Sequence, residues 1–324
     1  MKKALAVLFA LSLGSAVFAQ DNPRHTPREL DDEGIGASTP KKFPINQEGD
    51  GQIRTMIDED ENLPIAANPR FAVSPEALRM APQAINLTYH GGDVINTAKV
   101  VCIFWGPTWA SGGSDNSRAT TIQSFRNQLG TSSHYSMLTQ YYDSAYINTS
   151  NLAGSQPDWF DTTNPLPSSG NVTDSTVQAE VKRYVSAHGT NYSTVYEVFL
   201  PKYVPGTSTL VYSSDGSSTS CGGPGLAYCA YHSSYYNGSS YVKYSIEPYP
   251  SCSGCQVSGW TVVQNMTHFM VHETREAVTD ARGNAWYDSN GYEADDKCAW
   301  TGLFISNGYG YQPEWSNAAG GCVQ

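Results

Sequence analysis

HFMVHETREAVTDA, residues 268–281, is the stretch from which the rest of the chain can be read. His268, His272, Glu276 and Asp280 recur every four residues, a spacing that stacks side chains along one face of an α-helix. Val262, Val263, Met266, Phe269, Met270, Val271, Ala277 and Val278 cover most of the remaining surface with apolar groups. That is enough apolar surface to bury most of this helix.

Buried charge needs partners. Glu276 has His272, Glu273, Thr279 and Asp280 at its three- and four-residue neighbours, and Glu273 has Phe269, Met270, Glu276 and Ala277. Neither has a Lys or Arg in register, and like charges at these spacings cost a few tenths of a kcal/mol each, roughly. The missing positive charge is a divalent metal or a cation from elsewhere in the fold, with Arg275, Arg282 and Lys297 the nearest in sequence.

Before this helix the chain alternates strands and helices. AKVVCIFW, residues 98–105, is a continuous apolar, β-rich run, as in a central strand buried on both faces. Residues 115–142 read as helical, with Ser114 or Asp115 as cap and a break near Gly130, and a second helix opens at Val172-Thr173-Asp174. YSTVYEVFL (192–200) is another strand, and residues 225–234 and 241–248 are two more that pair across Tyr236-Asn237-Gly238. After the long helix come turn-rich segments with short strands such as 303–306. The expected fold class is α/β: a mixed sheet with packed helices, with a zincin-like layer arrangement among the options.

The ends of the chain differ in texture. Lys2 and Lys3, the apolar run 4–13 and Ala19 form a secretory signal peptide over residues 1–19, too short to span a bilayer. Residues 20–85 carry DDEGIG and DEDEN with few aromatics, and read as a disordered leader or propeptide. Residues 86–324 form a single globular α/β domain. The chain holds 19 basic and 30 acidic residues, a net charge of −11 that becomes −13 (−11 − 2) once Lys2 and Lys3 are removed. That balance argues against nucleic acid or an anionic membrane as partner. An exported chain with seven cysteines is expected to hold disulfides. Pairing of neighbours gives Cys221–Cys229, Cys252–Cys255 and Cys298–Cys322, and leaves Cys102 as a small hydrophobe in its strand.

Tyr89-His90-Gly91-Gly92, Phe104-Trp105-Gly106-Pro107-Thr108-Trp109, Cys229-Ala-Tyr-His232 and Cys252-Ser-Gly-Cys255 occur in this order. Together they resemble the phosphate-induced, Exordium-like family of secreted proteins over roughly residues 88–324. His272-Glu273-x-x-Glu276-Ala-Val-Thr279-Asp280, followed by Trp286-Tyr287-Asp288, Gly291, Glu293 and Asp296-Lys297-Cys298, resembles bacterial relatives of that family. Ala281 departs from their pattern, in which proline follows the aspartate. The resemblance implies a secreted, extracellular or cell-wall-associated protein and carries no established reaction.

His272-Glu273-Thr-Arg-Glu276 also resembles the zincin helix His-Glu-x-x-His with glutamate in place of the second histidine. In that geometry His272 and Glu276 bind zinc and Glu273 activates the bound water as general base. The third ligand comes from Asp280, His232, Glu293, Asp295 or Asp296, with His232 or Glu293 preferred because a ligand from outside the helix closes a tetrahedron more easily. His268 then flanks the site. Calcium bound by Asp280, Asp288, Glu293, Asp295 and Asp296 ranks below zinc because no EF-hand spacing is present.

No Gly-x-Ser-x-Gly elbow, Walker loop or dinucleotide fingerprint is present. A carboxylate-pair glycosidase would draw on Glu247 or Asp158 with a helix glutamate, but no spacing fixes such a pair. Tyr235, Tyr236, Trp286, Tyr287, Tyr309 and Tyr311 are a binding surface or, more commonly, packing residues. The leading expectation is a secreted zinc-dependent hydrolase, a peptidase acting on a peptide or cell-wall substrate. Its rival is a non-enzymatic extracellular or wall-associated binding protein in which the helix is structural.

Overall fold

The computed structural model of the protein describes residues 41–44 and 85–324 apart from residue 217. The expected signal peptide and, save for 41–44, the expected leader lie outside the described residues. In chain order the first elements are β1 (Lys41–Pro44), β2 (Thr88–Tyr89), β3 (Lys99–Trp105), α1 (Asn116–Leu129), α2 (Ser133–Ser136), β4 (Trp159–Asp161) and β5 (Asn171–Thr173). Then come α3 (Asp174–His188), β6 (Thr194–Phe199), β7 (Tyr212–Ser214), β8 (Tyr228–Tyr236), β9 (Tyr241–Glu247) and α4 (Val262–Thr279). The C-terminal part holds β10 (Trp286–Tyr287), β11 (Phe304–Ser306), β12 (Tyr309–Tyr311), β13 (Glu314–Ser316) and β14 (Gly321–Val323).

The expected mixed α/β fold is what forms. The main sheet has the order β1-β8-β9-β6-β3-β4. β4, β3, β6 and β9 run parallel, β8 pairs antiparallel with β9, and β1 pairs antiparallel with β8. The apolar run of β3 is explained by burial on both faces. Val100, Cys102 and Phe104 enter one core with residues of α1 and α4, while Val101, Ile103 and Trp105 enter a second core with residues of α3. Three layers result, with the sheet in the middle.

Local signals place the helices. Thr173 caps α3 by accepting from the Thr176 amide. Thr261 and Gln264 form a reciprocal capping box that starts α4. The β8–β9 hairpin turns where Gly238 takes φ 96° and the Asn237 side chain accepts from the Ser239 and Ser240 amides. Every residue of α4 except Gln264 is buried. The helix lies between the sheet and the C-terminal strands, and β12 approaches it so closely that a Cβ on Gly310 would stand 2.2 Å from the Gln264 carbonyl.

The sheet face under α4 is unusual for an interior. β8 and β9 alternate: Tyr231, Tyr235, Val242, Tyr244 and Ile246 enter the α3-side core. His232, Ser234, Lys243, Ser245 and Glu247 therefore occupy the alternate positions on the α4 side, and all five are buried. Glu197 interrupts β6 on the same side, as the second neighbour of Val195 and Phe199. Strand register sets Cys102, Glu197, Ser245 and His232 side by side across β3, β6, β9 and β8.

Neighbour pairing of cysteines holds for Cys298–Cys322 and fails for the rest. The bonds are Cys221–Cys252 and Cys229–Cys255, while Cys102 is free and buried. Cys229 lies on β8 and Cys255 on the turn that precedes α4, so the two bridges staple that turn to the sheet instead of closing small local loops. No helix among the described residues is long and apolar enough to cross a membrane, and three disulfides are common in secreted proteins.

Candidate metal centre

Three elements converge on one buried cluster. α4 brings His272, Glu273 and Glu276; β8 brings His232; the loop after β10 brings Glu293 and Asp296. His232, His272, Glu273, Glu276 and Glu293 are at most 2 % exposed, and only the Asp296 side chain reaches solvent, at 18 %. His272 Nε2 is 3.2 Å from Glu276 Oε2 and 3.7 Å from Asp296 Oδ1. His232 Nδ1 lies 3.8 Å from Glu276 Oε2, and its Nε2 lies 3.6 Å from Glu293 Oε1. Donors about 2.0–2.1 Å from a tetrahedral zinc are roughly 3.3–3.5 Å from one another. Three of these separations, 3.6–3.8 Å, are longer than hydrogen bonds and slightly wider than that spacing.

Among the described residues, two groups of histidine and carboxylate could each hold a metal ion: His232, Glu276 and Glu293, and His272, Glu276 and Asp296. Within each, one ligand atom per residue lies within 4.8 Å of the other two. The Cys221, Cys252 and Cys255 sulfurs also lie close together but are taken up in disulfides.

The surroundings orient both histidines. The Gln312 amide nitrogen donates to the Asp295 carbonyl at 2.8 Å and to Asp295 Oδ1 at 2.9 Å. Gln312 Oε1 must therefore face the other way, where it meets His268 Nε2 at 3.0 Å and His272 Nδ1 at 3.3 Å. A carbonyl oxygen only accepts, so His272 carries its proton on Nδ1 and turns the lone pair of Nε2 toward Glu276 and Asp296. Burial pushes His268 down to about 3 and His272 well below its usual range, so both rings are neutral. On β8, His232 Nδ1 hydrogen-bonds with Glu273 Oε2 at 3.0 Å, and its Nε2 lies beside Glu293. A carboxylate or amide that orients a ring in this way is the usual support of a metal-bound histidine.

The carboxylates tell the same story. Burial, reinforced by neighbouring acids, pushes Glu276 and Glu273 well above the usual carboxylate range. A divalent cation reverses that preference. The arginine alternative is answered by where the cations go: Arg275 is held by Asp295 and by Glu314 at 3.3 Å, Arg282 by Asp93 at 3.4 Å, and Lys297 by Asp288 at 2.8 Å. Among the described residues, the ion-pair partners of Glu273 and Glu276 are histidines.

Of the residues picked out in the sequence, His232, His272, Glu273, Glu276 and Glu293 come together, and Asp296 joins them. Asp280 does not stand in either metal-competent group. It ends α4, where its Oδ1 accepts from the Asn284 and Ala285 amides at 2.5 and 2.6 Å. Of the five acids weighed for calcium, Glu293 and Asp296 stand in the cluster, whereas Asp288 serves Lys297 and Asp295 serves Arg275. Asp158 is bound by Arg126 at 2.8 Å and by Gln123, while Glu247 lies buried close to Glu197 and Glu273. The tyrosines mostly pack: Tyr309 and Tyr311 close on Phe125, Tyr287 stacks on His90, and only Tyr236 of the group is clearly exposed, at 38 %.

Sequence reasoning passed over Gln312 and Glu197. Gln312 sits in a turn-rich segment with no periodicity to mark it. Glu197 did carry a signal, a lone charge inside the apolar strand YSTVYEVFL, and Thr274 of α4 donates to it at 2.5 Å.

No family model, curated protein or solved structure matches the chain.

Proposed function

We propose that the protein is a secreted zinc-dependent hydrolase, most simply a peptidase, in which a metal-bound water attacks the substrate carbonyl. His272 and Glu276 would hold the ion, with Asp296 completing the set, and an imidazole and carboxylate donor set suits zinc. Bound zinc would lower the pKa of its water to about 7 and polarise the carbonyl. The observation that carries the hydrolase reading is the disposition of Glu273. It lies between metal-competent residues without belonging to either group; its Oε2 is fixed by His232 and its Oε1 makes no hydrogen bond. That free, buried oxygen suits a base that takes the proton of a metal-bound water.

A second reading draws on the burial. With only Asp296 partly open to solvent, the same ion could hold the loop after β10 onto α4 in a non-enzymatic extracellular or wall-associated protein. The Exordium-like resemblance fits either reading. The two separate on one variant. Glu273→Gln keeps an acceptor for His232 but is no base. In the hydrolase it cuts turnover on casein-type peptides at least a hundredfold with zinc content unchanged. Loss of activity in a chelator but full activity in Glu273→Gln would leave the ion a structural role.

A further inference from the structure

We infer that the cluster is built for two divalent ions bridged by Glu276; this rests on the metal reading above and extends it. The two metal-competent groups share Glu276 and nothing else: His232 with Glu293 on one side, His272 with Asp296 on the other. The two histidines never fall in the same group, so one ion cannot collect both without rearrangement of a buried, close-packed interior. Glu276 is the common vertex: its Oε2 lies 3.2 Å from His272 Nε2, and one of its oxygens lies within 4.8 Å of a ring nitrogen of His232. Glu276 Oε1 is fixed by the Asp296 amide at 2.8 Å, which holds the carboxylate plane in place.

Charge points the same way. Glu273, Glu276, Glu293 and Asp296 bring four carboxylates, formally four negative charges, to a site whose nearby arginine and lysine serve other acids. One divalent ion would leave half of that charge buried, whereas two neutralise it. Each ion would have three protein donors and room for water, the pattern of two-metal hydrolytic sites with ions about 3.5–4 Å apart. Two buried atoms supply an independent mark of missing partners: Glu273 Oε1 and His232 Nε2 make no hydrogen bond, and both residues are at least 98 % buried.

The test is metal stoichiometry on the full chain. Protein is equilibrated with excess zinc, freed of unbound ion, and weighed by native mass spectrometry beside elemental analysis; a cobalt(II) titration followed by visible absorption supplies the breakpoint. Two ions per chain are expected, falling to one in Asp296→Asn and in Glu293→Gln, and below one in Glu276→Gln. Asp296 sits at the solvent edge, so its variant keeps the fold, which circular dichroism checks. One ion in the wild-type chain, unchanged in Asp296→Asn, overturns the two-ion site while leaving a single-ion hydrolase standing. No ion at all overturns both. Two ions with hydrolysis unaffected by Glu273→Gln support the pair and refute the hydrolase.

Discussion

Replacing Gln312 by Met probes the support of the centre without touching a metal-competent residue. The substitution removes the oxygen that receives the protons of His268 Nε2 and His272 Nδ1, and the amide that donates twice to Asp295. His272 is then free to change tautomer and to rotate, so Nε2 no longer faces Glu276 and Asp296 by default. Loss of such an outer partner costs about 10–100-fold in metal affinity, or about 1.4–2.7 kcal/mol. The apoprotein also loses stability, by roughly 2–5 kcal/mol, because buried donors and acceptors on both sides are left unpaired. The assay is competition with a chromogenic chelator for zinc, with thermal unfolding measured with and without the ion. His268→Phe serves as control: it removes one donor to Gln312 and leaves the Gln312–His272 contact, so affinity should stay within about threefold. A folded Gln312→Met protein that binds zinc as tightly as wild type would refute the claim that Gln312 sets the ligand geometry.

Glu197, fully buried, has its carboxyl raised by burial from 4.5 to about 8. A raised folded value means its contribution is intact below about pH 4.5 and is lost as pH rises through about 8, on the order of 1.4 kcal/mol per pKa unit. Glu197→Gln keeps an acceptor for Thr274, so denaturation curves should show it more stable than wild type at pH 8 and no better at pH 4; parallel pH profiles would contradict the burial argument. Gly310→Ala drives a methyl into the Gln264 carbonyl and the Trp260 ring, 2.2 and 2.4 Å from its Cβ, and should cost about 1–3 kcal/mol. Gly225→Ala, with nothing within 4 Å, should stay within about 0.5 kcal/mol. Peptide mapping without reduction should recover Cys221–Cys252 and Cys229–Cys255; a Cys252–Cys255 peptide would disprove that pairing. Removing the Cys229–Cys255 bond should lower stability by about 2–4 kcal/mol.

Periodicity and burial made much of the fold readable. β3 and α4 are long, strongly apolar and bounded by clear caps, so type and position follow from residues 98–105 and 262–279 alone. The β8–β9 hairpin is marked by Asn237-Gly238 and by alternation in YVKYSIE. That alternation also held an unread message, since Lys243, Ser245 and Glu247 face the helix and not water. The helix half of the site was legible because His272, Glu273 and Glu276 lie within five residues. His232, Glu293 and Asp296 could only be offered as options, because their approach depends on how β8 and the loop after β10 pack on α4. Cysteine pairing failed for the same reason: Cys229 and Cys255 meet through tertiary packing over a separation of 26 residues. Gln312 has no local mark, being defined entirely by Asp295, His268 and His272.

The central claim is that these residues form a metal centre, and crystals of the zinc-equilibrated protein test it most directly. Anomalous difference maps at the zinc edge should show density about 2.0–2.2 Å from His272 Nε2 and from a Glu276 oxygen. Well-ordered His272 and Glu276 side chains with no anomalous density between them, while zinc is bound elsewhere on the surface, would contradict the account.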